Sequence, residues 1–305
     1  MSKRVAIILV NWNSFTLTGN CICSLGDLSY PDFDIVVVDN GSEDLSGNAL
    51  KKAHPHIHLI PAGSNLGFSG GNNLGIKYAM EQGFEYVLLL NNDTFSEKAF
   101  LGILVDYMDK NATVGAVQPL IYFEHNRSLV WNAGSYFNQW LGKSYVANYN
   151  RTINLEKTLM KEVDWITGCA FFTRLAVLKQ TGLLAENLFM YYEDVDLSFR
   201  IRNAGHKLVL LPGSVIYHIA GMSNKKKIKD KEGYVNPVVH YLNTRNRIWL
   251  LKKYTPFFCV PSMILFTGFY FTGVILYFIA RRRFQKLRSV LKGIRDGFRS
   301  SIKYS

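Results

Sequence analysis

The chain has 305 residues, room for two modest domains or for one large α/β domain with an appendage. Its 48% hydrophobic and 19% charged residues are enough to bury a core, which excludes global disorder. The net charge of +12 is uneven: residues 225–305 hold 18 Lys and Arg against 3 acids, and residues 1–224 hold 17 against 20, so the affinity for phosphate that such basicity implies belongs to the C-terminal part.

The N-terminal run Val5–Val10 is six residues long and no small-residue cleavage site follows, so it reads as a first buried strand rather than a signal peptide. Three apolar runs end in polar residues: VAIILV at Asn11, IVVVD at Asp39 and YVLLLNND at Asp93. Short runs rich in Val, Ile and Leu between helical segments predict buried parallel strands of an α/β sheet. The intervening helices are expected at Ser14–Leu28, Gly71–Gln82 and Glu97–Lys110. In such sheets the ligand crevice lies off the carboxyl ends of the strands, which here carry Asn11–Asn13, Asp39–Gly41 and Asn91–Asp93. Asn, Asp and Gly also favour plain turns and caps, but three such clusters in order point to one crevice.

From Val114 to Trp165 the pattern is irregular and reads as strands and loops around an acceptor region. WITGCAFFTR reads as a strand, Leu175–Gln180 as a short helix, and Glu193–Ala204 as a helix whose acids suit the positive end of its dipole. LVLLP and VIYH close the domain, and KKKIKDKEG, residues 225–233, reads as a mobile loop. Cys21, Cys23, Cys169 and Cys259 show no CxxC pair, so neither zinc nor a disulfide framework is indicated and a reducing compartment fits.

Pro256–Ala280 is 25 residues without a charge, long enough to cross a hydrocarbon core. Basic clusters flank it on both sides, Lys252–Lys253 and Arg281–Arg283, which a single span would place against the positive-inside tendency. Pro261, Gly268 and Gly273 would permit a bend, giving a re-entrant or in-plane arrangement instead. Beyond it, Phe284, Leu287, Val290, Leu291, Ile294 and Phe298 recur at helical spacing among Lys and Arg, the pattern of an interfacial amphipathic helix on an anionic membrane surface.

A divalent cation wants hard oxygen ligands, often with one His, and Asn91–Asp93 and His218 at strand ends offer both. A lone strand-end His is more often structural. The acids Glu193, Asp194 and Asp196 leave open which caps the helix and which acts as a general base.

In order, VNWN, VVVDNGS, NLGFSGGNNLG, LLLNNDT, WITGCAFFTR, MYYEDVDLSFRIRNAG and VIYH resemble the family-two inverting glycosyltransferases, and within them the rhamnosyltransferase-like branch of bacterial polysaccharide assembly. The likeness covers about residues 4–254 and takes in YLNTRNRIWLLKKY. It implies an A-type nucleotide-binding fold, α/β with a mostly parallel central sheet, followed by membrane-associated helices. The resemblance puts Val10, Asn11, Asn13 and Asp39 around the base and ribose, with Asn65, Gly67 and Asn73 against the nucleotide. It makes Asp93 and His218 ligands of Mg2+ or Mn2+ and Asp194 the general base. Asn91 departs from the acidic residue that the family has there, leaving it a weaker role toward donor or metal. Trp165, Thr167, Gly168 and Glu193 fall on the acceptor side.

The implied reaction moves a sugar from a nucleotide-diphosphate donor, dTDP-rhamnose or else a uridine-diphosphate hexose, to a lipid-linked or free saccharide at the cytoplasmic face of the membrane. The expected organisation is a catalytic domain over 1–224, a basic loop and connecting helix over 225–255, and a membrane-associated segment with its tail over 256–305. No nucleic-acid motif accompanies the basic tail. A glycoside hydrolase would leave the strand-end clusters without a purpose. A non-catalytic, membrane-anchored nucleotide-sugar binder would not need Asp93, Asp194 and His218 together.

Overall fold

The computed structural model describes residues 3–155, 159–220, 225–230 and 232–304. The first half alternates strand and helix: β1 (Val5–Asn11), α1 (Phe15–Leu25), β2 (Phe33–Asp39), α2 (Ser46–Ala53), β3 (His58–Pro61), α3 (Gly67–Glu81) and β4 (Tyr86–Leu90). A short β5 (Thr94–Ser96) and α4 (Phe100–Lys110) lead into β6 (Val114–Phe123), β7 (Val130–Asn132) and the hairpin of β8 (Ser135–Asn138) and β9 (Lys143–Val146). Then come β10 (Lys161–Glu162), β11 (Ala170–Arg174), α5 (Leu175–Thr181), α6 (Glu193–Asn203) and β12 (Lys207–His218).

Apart from the β8–β9 hairpin, these strands build one ten-stranded sheet with the path β10-β12-β6-β11-β4-β1-β2-β3, β5 and β7 lying beside it. The β3-β2-β1-β4 half is parallel, as the continuous apolar runs predict, because helices cover both faces. Alternation sends Val5, Ile7 and Leu9 to the face covered by α1 and α4, and Ala6 and Ile8 to the face covered by α3. The sheet departs from strict parallelism at β11, which runs antiparallel to both β4 and β6. It is also shorter than the sequence suggests, since Trp165–Cys169 stay outside it.

Other boundaries shift by a few residues. α1 is shorter at both ends than Ser14–Leu28, and α3 starts at Gly67, four residues before the expected Gly71. Gly67 opens that helix at φ 70°, a region a side chain resists, and a Cβ on it would lie 2.3 Å from the Phe189 carbonyl oxygen. The basic stretch expected as a loop instead forms β13 (Lys225–Asp230), paired antiparallel with β14 (Gly233–Val235), with Gly233 at φ 84° allowing the reversal.

Three helices follow: α7 (Pro237–Tyr254), α8 (Val260–Ala280) and α9 (Phe284–Arg299). Asn236 caps α7 by accepting from the Val238 N–H, with Pro237 at the first helical position. Pro261 sits in the first turn of α8, where its missing N–H costs no hydrogen bond, and the helix runs unbroken through Gly268 and Gly273. The bend that these residues would permit is therefore not formed.

Candidate active site

The polar ends of β1, β2 and β4 converge at the carboxyl edge of the sheet, but they do different work. Asn11 is fully buried, donating to Ser46 Oγ (2.8 Å), Ser42 Oγ (3.2 Å) and Asp39 Oδ1 (3.3 Å) while accepting from Thr18 Oγ1 (2.8 Å). Its capacity is spent inside the protein, fastening β1 to the loop after β2. Asn13, at φ 49°, stays on the rim and accepts from the Glu43 N–H at 2.8 Å. Val10 and Asp39 are partly exposed beside it.

The loop before α3 is held in the same way. Asn65 accepts from the Gly67 N–H at 2.9 Å, and the buried Asn40 binds Asn65, the Leu66 N–H and the Gly67 carbonyl. Asn73 does not join the crevice. It is buried, donates to the Leu184 carbonyl (2.8 Å) and Glu186 Oε1 (3.0 Å), and accepts from the Leu184 N–H (3.1 Å). Gly67 lies against Phe189, so this segment contacts the loop that leads to the acids of α6.

Asp93 and His218 do come together. β5 pairs with β12 so that His218 stands opposite Thr94, and His218 Nε2 lies 3.0 Å from Asp93 Oδ1 with both side chains almost fully buried. Asn91 Nδ2 is 3.4 Å from the same nitrogen. Trp131 meets the imidazole edge-on at 4.6 Å between centroids, and His218 Nδ1 is buried without a partner. Among the described residues no cluster of three His, Cys, Asp or Glu is present. A carboxylate and an imidazole, with an amide nearby, suit an ion that keeps most of its positions for water and substrate phosphates, as Mg2+ does. The donor set therefore fits a divalent cation.

A short path joins this pair to α6. The Asn91 N–H donates to the Cys169 carbonyl (2.9 Å), and the next residue back, Gly168, donates its N–H to Asp194 Oδ2 (2.8 Å). Burial pushes the Cys169 thiol well up, and the charges of both Asp93 and Asp194 add to that shift, so one thiol lies within the field of both carboxylates. Asp194 Oδ1 also accepts from the Val195 N–H at 2.8 Å. Burial raises the Asp194 carboxyl to about 6, with the backbone donors of Gly168 and Val195 pulling the other way. Glu193 is also pushed well above its ordinary value, first by burial and then by Asp194, and its Oε2 has no partner.

The third acid, left open by the sequence, is structural. Asp196 is fully buried and accepts from Arg200 Nε (2.9 Å), Lys253 Nζ (3.1 Å), Tyr254 OH (2.7 Å) and Tyr304 OH (2.6 Å). On the acceptor side, Trp165 donates to the Tyr136 carbonyl at 3.1 Å, and the Thr167 N–H donates to Gln118 Oε1 at 3.2 Å. Thr167 is buried, and the β8–β9 hairpin is tied to the turn that presents Gly168.

Sequence reasoning missed Asn246. This residue of α7 is fully buried and its Nδ2 lies 2.9 Å from each of the Leu188, Met190 and Tyr191 carbonyls. That loop holds Phe189, Tyr191 and Tyr192 at φ 65°, 74° and 70°, immediately before Glu193. The sequence offers little signal for it, since Asn246 stands between Arg245 and Arg247 in a helix of mixed polar and apolar residues.

The family profile described as Glycosyl transferase family 2 matches residues 6–181. An N-acetylglucosaminyl-diphospho-decaprenol L-rhamnosyltransferase of Mycobacterium tuberculosis is 24% identical over 235 residues, 72% of this chain and 76% of that protein. The dTDP-rhamnosyl transferase RfbF of Shigella flexneri is 21% identical across 98% of this chain and 97% of its own. Among solved structures, mannosyltransferase PcManGT from Pyrobaculum calidifontis, in complex with GDP-Man and Mn2+, superposes with a TM-score of 0.56 at 14% identity, covering 98% of this chain and 88% of that one. S. aureus TarS 1-349 gives 0.57 at 15%, covering 95% and 81%. With more than half its length matched and an A-type fold to carry the match, the chain belongs to glycosyl transferase family 2 and is a glycosyltransferase.

Proposed function

We propose that the protein transfers rhamnose, with inversion at the anomeric carbon, from dTDP-rhamnose to a lipid-linked saccharide at the cytoplasmic face of the membrane. The observation that carries this reading is the short path from the Asp93–His218 pair through Asn91, Cys169 and Gly168 to Asp194. It supports reading Asp93 and His218 as a cation-binding pair and Asp194 as the base at the same edge of the sheet. The rhamnosyl relatives support the choice of sugar, and the apolar C-terminal helix supports a membrane-borne acceptor.

Asp93 and His218 would hold Mg2+ or Mn2+, which when bound supplies Lewis-acid stabilisation of the departing diphosphate. Val10, Asn13 and Asp39, on the rim, receive the base and ribose, with Asn11 and Asn40 fixing the loops behind them. Asp194 takes the proton of the acceptor hydroxyl. Its carboxylate is aimed by two backbone N–H groups, and its raised pKa of about 6 leaves it ionised yet basic at neutral pH. Inversion requires a single in-line displacement, with Asp194 as the base and the diphosphate as the leaving group. Trp165 and Thr167 hold the acceptor-side wall through the hairpin and Gln118.

Asp194→Asn should abolish transfer while leaving dTDP-rhamnose binding, measured by calorimetry with Mn2+, within about twofold; turnover near wild type would refute the assignment of the base. A thermal-shift screen of nucleotide sugars with Mn2+ tests the donor, since only a bound ligand raises the melting temperature. Protection by a uridine-diphosphate hexose in place of dTDP-rhamnose would overturn the choice of sugar.

A further inference from the structure

We infer that α8 lies in the plane of one leaflet, as a docking surface for an anionic lipid bilayer, and does not cross it. The inference rests on the membrane attachment proposed above and fixes its geometry. By length either arrangement is open, since α8 has 21 residues and a helix of that size is roughly 31 Å long, close to the hydrocarbon thickness. Its two ends decide.

Upstream, α7 is locked into the catalytic domain by Asn246 and by Tyr254 on Asp196. Downstream, only Arg281–Arg283 separate α8 from α9, and α9 returns along α7. A Cβ on Gly293 would lie 2.8 Å from Thr244 Cβ, and one on Gly297 2.9 Å from Ile248 Cβ, so the two helices are in close backbone contact there. Lys252 Nζ reaches the Phe298 and Ser300 carbonyls, and Tyr304 reaches Asp196. Both flanks of α8 are therefore fastened to the same body.

The helix itself is pinned along its length. Ser262 donates to the Trp140 carbonyl at 2.8 Å, Arg247 of α7 stacks over Tyr270 at 4.5 Å, and Phe278 meets His240 edge-on at 5.0 Å. A spanning α8 would have to break all three and drag α9 off α7. What remains outside is an apolar face: Leu265, Phe269 and Leu276 are each at least 60% exposed. Phe257 and Phe258 extend it to Trp140 at the tip of the β8–β9 hairpin, on the acceptor side.

α9 continues the surface with a mixed face of Phe284, Arg288, Leu291, Arg295 and Phe298, all exposed and spaced three or four residues apart. Apolar side chains alternating with guanidinium groups match the headgroup boundary of an anionic leaflet, the former reaching acyl chains and the cations meeting phosphate. This charge complementarity favours a bilayer over a second copy of the chain, whose α9 would carry the same positive charge.

The test uses the full chain, because removing α8 and α9 would strip Asp196 of Tyr304 and unsettle the active site. Cys23 is the exposed native cysteine and lies on the catalytic domain, and Gln285→Cys adds a second just beyond α8. With a membrane-impermeant maleimide, both should label only after the cells are permeabilised. Labelling of the Gln285→Cys thiol in intact cells, with Cys23 still protected, would mean that α8 spans; it would overturn this inference and leave membrane attachment standing. In flotation, purified protein should bind vesicles of phosphatidylcholine with roughly one-third phosphatidylglycerol. Phe269→Glu with Leu276→Glu should reduce the bound fraction about tenfold or more, with transfer to a water-soluble acceptor unchanged. No wild-type binding to these vesicles would refute attachment itself, and a stable lipid-free dimer in that case would assign the face to a second copy.

Discussion

The clearest quantitative consequence concerns Asn246, which touches no reacting atom. Its amide has two N–H groups shared among three carbonyls, one buried and two part-buried, and its own oxygen accepts from Arg245 Nε at 2.9 Å. Replacement by Ala removes those donors; the Leu188 carbonyl keeps the Met190 N–H (2.7 Å) and Arg245 Nη2 (3.2 Å), and the loss at the other two is about 1–3 kcal/mol in all. Those bonds oppose backbone strain, because Phe189, Tyr191 and Tyr192 all have positive φ, a conformation costing on the order of 1–3 kcal/mol per residue. Loss and strain are comparable, so the loop is expected to relax and carry Asp194 with it. A displacement near 1 Å at a catalytic group is worth about a hundredfold in rate. Asn246→Ala should therefore lower kcat about a hundredfold with little change in the KM for the donor. Asn246→Asp, an acceptor facing three acceptors, should fare no better, and Asn246→Gln should recover part of the rate. Steady-state kinetics with circular dichroism as a folding control would check this. A folded Asn246→Ala enzyme with wild-type kcat would refute the bracing role.

Other outcomes follow from the same site. Because Asp194 must be ionised to accept a proton, kcat should rise with pH through about 6 rather than through the ordinary carboxylate range near 4, and a pH–rate profile checks this. Glu193 has the opposite bearing on stability. Its folded pKa lies above its unfolded value, so the folded state binds the extra proton, and stability falls as pH rises from the unfolded pKa toward the folded one. Glu193→Gln should accordingly raise the melting temperature by several degrees at pH 7 and by little at pH 4; equal shifts at both would count against a strained carboxyl. Gly67→Ala should cost about tenfold or more in kcat, since its methyl would drive into the Phe189 carbonyl and the φ of 70° disfavours any side chain. Asp93→Ala should weaken Mn2+ binding at least about tenfold, measured by calorimetry with no sugar present, and unaltered affinity would remove Asp93 from the proposed site.

The parallel half of the sheet was legible because β1, β2 and β4 are buried on both faces and leave continuous runs of Val, Ile and Leu that stop at the crevice. The antiparallel β11 was not, since a buried run carries no mark of its direction. Asp93 and His218 stood at strand ends and could be paired once the order of motifs was recognised, although only the register of β5 on β12 sets them 3.0 Å apart. The three acids of α6 look alike in sequence. What separates them is distant: Gly168 for Asp194, Lys253, Tyr254 and Tyr304 for Asp196, and nothing for the buried oxygen of Glu193. Asn11 and Asn73 show the converse. Both lie in motifs that resemble ligand contacts, and both spend their hydrogen bonds inside the fold.

Asp196 also sets a timetable. A fully buried carboxylate on the helix that carries Asp194 is satisfied partly by Tyr304, 108 residues further along the chain. Residues 260–280 must therefore emerge from the ribosome before that helix can receive its last hydrogen bond. The order of synthesis is oily helix first and finished site second, so the apolar surface of α8 exists before the helix that carries Asp194 is fully braced.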